Sequence, residues 1–150
     1  MSEVKPAPKL SGWMQEHLDR YLATDGADGH MWQPPRPELP PIPTLLLTTY
    51  GRRTGQPFII PLIYGMDDKN YVVIASKGGA PQHPGWYLNL AARPDVEVQV
   101  LARRFKATAR TSTGAERAPL WDKLVALFPP YTEYQKKTER EIPVVVLQPV

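Results

Sequence analysis

Apolar positions follow two periods along this chain. From Leu10 to Leu22, the residues Leu10, Trp13, Met14, Leu18, Tyr21 and Leu22 recur at helical spacing and predict an amphipathic helix, with Ser11 placed to cap it. Its polar face sets Glu16 and Asp19 against Arg20, which is not the basic face that an anionic lipid surface favours. Thr24 to Gly29 reads as a turn, and a stiff proline-rich connector runs from Pro34 to Pro43. The period then shortens. Thr44–Tyr50, Pro57–Tyr64 and Tyr71–Ser76 read as strands, the last two joined by the Asp67-Asp68-Lys69-Asn70 turn. Val96, Val98 and Val100 alternate with Glu97 and Gln99, and Arg104–Thr111 puts Phe105, Ala107 and Ala109 on one face. Ile142 to Leu147 is continuous in Val and Ile, as a strand buried on both faces would be.

Three further helical segments complete the pattern. Trp86–Ala92 is a short helix stopped by Arg93-Pro94. Thr113 and Glu116 have capping-box spacing and open a helix whose apolar side holds Leu120, Trp121, Leu124, Val125 and Phe128. Pro129-Pro130 ends it, and Tyr131 to Lys137 adds a short helical turn. Strands linked by short hairpins, with helices inserted late, predict an α+β fold. About six mainly antiparallel strands suit a small, partly open barrel, because hairpins this short cannot serve as parallel crossovers. One structural domain is expected, with residues 1–43 as helix and strap and 44–150 as barrel; residues 1–9 are expected to fray.

Composition narrows the function. The 150 residues contain no cysteine, which excludes disulfides, a thiolate metal site and a cysteine nucleophile. His17, His30 and His83 show no paired ligand spacing, so no metal site is expected. A net charge of +3, from 18 Lys+Arg against 15 Asp+Glu, is too mild for a nucleic-acid face. No apolar run approaches the ~20 residues of a membrane span, and no signal-peptide core is present. The expected location is the cytoplasm, with a peripheral position at the inner face of the plasma membrane open only through the N-terminal helix. Nothing in the pattern demands an obligate dimer, and a monomer is favoured. The nucleophile-elbow and dinucleotide glycine motifs are both missing. That points away from side-chain acid–base catalysis and towards a borrowed redox cofactor acting on a small molecule.

Four segments can carry such chemistry. Gly51-Arg-Arg-Thr-Gly-Gln-Pro57 is a cationic turn whose guanidinium groups match phosphate or carboxylate. Ser76-Lys77-Gly78-Gly79-Ala80 directly follows a strand, where binding loops commonly sit. Pro84-Gly85-Trp86-Tyr87-Leu88-Asn89-Leu90 offers a helix start to an anion and two aromatic walls. Phe128, Tyr131 and Tyr134 follow one another at three-residue spacing and can roof an apolar pocket. Each alone also fits an ordinary hairpin, an exposed loop or a core ridge.

In this order, together with Leu45–Tyr50, Pro61-Leu62, the Arg93-Pro94 turn and Ile142–Val146, these segments resemble the deazaflavin (coenzyme F-420) dependent nitroreductase family, the F420H2-dependent reductases of the split β-barrel fold. The resemblance spans about Thr44 to Pro149 and implies reduced coenzyme F420 as cofactor. It implies that Arg52, Arg53 and Thr54 meet the phosphate and oligoglutamate tail, with Lys77 assisting. Pro61, Leu62, Ile63, Ile74, Ala75 and Ser76 would line the ring, Phe58 and Ile60 would also belong to the cofactor site, and Gly85, Trp86, Tyr87, Leu88 and Asn89 would contact the cofactor through the helix start. Tyr131 and Ser76 would be catalytic, with Phe128, Tyr131 and Tyr134 shaping the substrate pocket. The implied reaction is hydride transfer to an enone, unsaturated lactone, quinone or nitro compound. Phe58 stands where the best-known members carry a basic residue, and Phe128 where the nitroimidazole-reducing member has tyrosine. An FMN-using split-barrel oxidoreductase and a non-enzymatic small-barrel binding module are the alternatives.

Overall fold

The computed structural model describes residues 3–8 and 10–150. The N-terminal part contains β1 (Lys5–Pro6), α1 (Gly12–Thr24), β2 (Met31–Trp32), β3 (Ile42–Tyr50), β4 (Pro57–Ile63), β5 (Gly65–Asp67) and β6 (Asn70–Ile74). After a 3-10 turn at Lys77–Gly79 come α2 (Gly85–Ala92), β7 (Asp95–Val100), β8 (Arg103–Thr111), α3 (Gly114–Leu127), α4 (Pro130–Lys136) and β9 (Val144–Pro149). The strands form one sheet in the order β1-β4-β3-β7-β8-β9-β6-β5, with β2 paired to β3. Every pairing is antiparallel except β1 with β4. The sheet curls until β4 and β6 touch, but no hydrogen-bonded ladder joins them, so it is not closed.

The fold is α+β, with nine strands among the described residues where about six were expected. The excess is β1, β2 and β5, which have two or three residues each. So short a segment cannot display a period of two, and only its pairing makes it a strand. β1 also overturns the expected fraying, because Lys5 and Pro6 lie beside Phe58 and Ile59; residues 1, 2 and 9 lie outside those described. The proline-rich connector closes a hairpin between β2 and β3, and its last residues, Ile42 and Pro43, already belong to β3.

Alternation along the central strands separates the core by face. Leu45 and Leu47, Val73, Val96 and Val98, Ala107 and Ala109, and Val145 and Leu147 meet Trp86 and Leu90 inside the curl. Val72, Ile74, Val144 and Val146 point the other way, where Leu120, Leu124 and Phe128 of the α3 region and Tyr131 of α4 cover them. The continuous apolar runs of β6 and β9 therefore have cover on both faces. Leu46 of β3 packs under α1 against Leu18 and Tyr21. The Tyr21 hydroxyl donates to the Thr44 carbonyl at 3.1 Å and accepts the Leu101 N–H at 3.0 Å, tying α1 to β3 and to the β7–β8 turn.

The expected caps form in place but not in chemistry. Ser11 and Thr113 sit at the N-caps of α1 and α3, and neither side chain makes a capping bond. Glu116 turns instead to Arg110 on β8, which grips both its carboxylate oxygens, the Nη2–Oε2 bond being 2.8 Å. A bidentate ion pair outcompetes a single backbone N–H for the carboxylate.

A cationic and aromatic cavity

A cavity of about 920 Å³ lies among α1, β3, β4, the loop after β6, α2 and α4. Three cationic side chains, Arg52, Arg53 and Lys77, line it, with Thr54 beside them. The Gly51–Gln56 turn closes through the Gly51 N–H to the Gln56 carbonyl at 2.8 Å, and Gly55 supplies the positive φ of +78° that this turn needs. Asn89, buried on α2, holds Arg52 from below. Its Oδ1 accepts the Arg52 backbone N–H at 3.2 Å and Nη1 at 2.9 Å, while its Nδ2 donates to Thr49 at 3.3 Å. One side chain thus fixes both the turn and the direction of its guanidinium.

Phe58, Ile60, Pro61, Leu62, Ile63 and Ile74 form an apolar side of the cavity. Ser76, Gly85, Trp86 and Asn89 line it from the loop and α2. At the start of α2, the Tyr87 and Leu88 N–H groups already donate to the Pro84 carbonyl, which leaves those of Gly85 and Trp86 for a ligand. Phe128, Tyr131 and Tyr134 belong to the lining too, although Phe128 ends α3 while the tyrosines stand on α4. The three rings meet across that break, with centroids 5.1 to 6.2 Å apart. Burial, and then the neighbouring Tyr134, pushes the Tyr131 hydroxyl far above the ordinary tyrosine range.

Three residues expected at the site lie off the lining. Ala75 is fully buried in the inner core. The Tyr87 hydroxyl bonds Thr111 at 2.8 Å and its ring packs on His83. Leu88 faces solvent on the outer side of α2. Conversely, Trp13, Met14 and His17 of α1, Trp32 of β2 and Thr44 of β3 all line the cavity and were not among the expected site residues. Trp13 stacks on Trp32 at 5.4 Å, and Trp32 meets Phe128 at 6.0 Å, so the aromatic wall continues from α4 to α1. His17 is buried with Nε2 3.3 Å from the Thr44 hydroxyl, and burial lowers its pKa. Clustered cations beside an apolar and aromatic wall suit a ligand that joins a planar ring to an anionic tail.

This fold also appears in a FAD-binding protein from Mesorhizobium loti that is 16% identical, with a TM-score of 0.51 over 70% of this chain and 78% of that one. The family model described as F420H(2)-dependent quinone reductase matches residues 13–149, and the chain belongs to that family. It is 40% identical to an F420H(2)-dependent quinone reductase of Mycobacterium tuberculosis, covering 92% of this chain and 97% of the relative. A solved F420-H2 dependent reductase is 42% identical, with a TM-score of 0.66 over 70% of this chain and 93% of that one. Another solved relative, described as a domain-swapped dimer, is 37% identical with a TM-score of 0.68 over 91% of this chain and 97% of that one. Its state runs against the expectation of a monomer. Among the described residues no helix is long and apolar enough to cross a membrane, and nothing supports the peripheral membrane position.

Proposed function

We propose that this chain binds reduced coenzyme F420 in the 920 Å³ cavity and uses it to reduce a quinone. The observation that carries the reading is the union of a cationic turn, ordered by Asn89, with an apolar and aromatic lining in one cavity of a chain from this family. When bound, reduced deazaflavin supplies a hydride. Arg52, Arg53 and Thr54 hold the anionic tail, with Lys77 assisting. Pro61, Leu62, Ile63 and Ile74 wall the ring and keep water from it, and Gly85 and Trp86 offer backbone donors. Phe58 contributes packing but no charge to this clamp.

Converting a quinone to its hydroquinone takes one hydride and one proton. Tyr131 remains protonated across the physiological range, since burial raises its pKa. Its O–H can therefore donate to a carbonyl oxygen as negative charge develops there, an interaction worth ~3 kcal/mol. Ser76 is the second candidate donor. Phe128 and Tyr134 shape the substrate side, and positioning contributes roughly 7–11 kcal/mol in well-aligned systems. We assign the open, curled sheet to the split-barrel class and residues 1–43 to the same domain; the β1–β4 pairing and the Tyr21 bonds support the latter.

The test is a fluorescence titration with F420, with FMN as competitor, followed by oxidation of F420H2 with a soluble quinone and with an enone. Saturable F420 binding that weakens with salt, and faster quinone than enone turnover, are expected. Tight FMN binding without F420 binding would overturn the reading.

A further inference from the structure

We propose that Arg140 is a positioning residue for the Ser76–Ala80 loop, holding Ser76 and Lys77 in the shape that binds cofactor. It lies beyond α4 and outside the cavity lining. Its guanidinium donates to two carbonyls of that loop, Ser76 at 2.7 Å and Ala80 at 2.9 Å, and to the Ala75 carbonyl just before it at 3.2 Å. A fourth bond runs to His83 Nδ1 at 3.1 Å. Arg140 is itself anchored, because Gln135 of α4 donates to its carbonyl at 2.8 Å.

The loop needs such a hold. Lys77 has a φ of +46°, a left-handed conformation that a non-glycine residue keeps only where its surroundings over-determine it. Gly79 lies so close to α4 that a Cβ there would be 2.6 Å from the Tyr134 carbonyl. The loop is thus gripped by Arg140 and backed by α4, the helix that carries Tyr131 and Tyr134. A single planar fork serving three carbonyls is a task that a lysine cannot reproduce.

This inference rests on the proposed function for its consequence, but its geometry can be tested without cofactor. In ligand-free Arg140→Ala, amide hydrogen exchange is expected to rise at 76–80, where the Gly79 and Ala80 N–H groups bond the Ser76 and Lys77 carbonyls. Protection in β6 and β9 is expected to stay as in the native chain. F420 affinity should fall about tenfold in Arg140→Ala and partly recover in Arg140→Lys. In a Lys77→Ala background, removing Arg140 should cost no more than about twofold, since the two act through one another. Unchanged exchange at 76–80, exchange rising equally through β6 and β9, or an undiminished loss in the Lys77→Ala background would each overturn it. Failure of the native chain to bind F420 would overturn the proposed function and the cofactor link, while exchange still decides whether Arg140 holds the loop.

Discussion

At the scale of single residues, the proposed function divides the cavity into groups that hold and a group that reacts. Arg52 belongs to the first. Its guanidinium is already oriented by Asn89, so little order is lost when an anion arrives. Arg52→Ala is expected to raise the F420 dissociation constant by about ten- to a hundredfold, the loss typical of a charge-assisted bond, while turnover at saturating cofactor stays near native. The gap between the two proteins should narrow in high salt. Tyr131 belongs to the second group. Tyr131→Phe is expected to lower turnover by about a hundredfold and to leave F420 affinity nearly unchanged; native turnover in this variant would end the proton-donor role. These residues were legible because guanidinium groups in a glycine turn, and tyrosines beside prolines, carry a chemical signature. Arg140 was not. Its partners are carbonyls some sixty residues away in sequence, and backbone carbonyls leave no mark in a sequence.

Among the elements, α3 and α4 connect the site to the core. Leu124 is fully buried and packs α3 against the sheet, with Cδ2 pressed close to Gly65 of β5. Leu124→Ala should cost about 2–5 kcal/mol in urea unfolding, and affinity measured on the folded fraction should change little. Gly79→Ala acts on a different joint. The added Cβ would meet the Tyr134 backbone, which cannot yield as a flexible side chain could. Both the 76–80 loop and α4 must then shift, so F420 affinity and turnover are expected to fall together, each by about tenfold or more. A loss confined to thermal stability would show that the contact is packing alone. Periodicity revealed α1, α3 and the longer strands, since five or more residues can display a repeat. The capping signals were misleading because Glu116 had a better partner on β8 than its own helix could offer.

At the scale of the whole molecule, burial is the leading cause of the histidine and tyrosine shifts. Burial lowers the pKa of His17, His30 and His83 below the ordinary 6.5. The unfolded chain then binds more protons than the folded one as pH falls through 6.5 towards the folded values, so stability is full above that window and declines within it. Urea midpoints are expected to drop between about pH 7 and pH 5, and His17→Gln should make that slope shallower. Tyr64 acts at the other extreme. Burial, aided by Tyr21 and Tyr71, pushes it up to about 12, against 10 for a free tyrosine. The unfolded chain loses that proton first, so stability should fall again as pH rises above 10.

The sequence by itself determined the α+β class, the long strands and the cationic and aromatic segments, together with the family they resemble. It could do so because periodicity and side-chain chemistry are local properties, written into neighbouring residues. Only the tertiary structure decided that α1 and β2 bring Trp13, His17 and Trp32 into the same cavity as Tyr131, that Ala75, Tyr87 and Leu88 stay off its lining, and that the sheet curls without closing. Those outcomes depend on which surfaces meet across the chain, and they follow from burial of the faces of β3, β6 and β9 rather than from any segment's own preference.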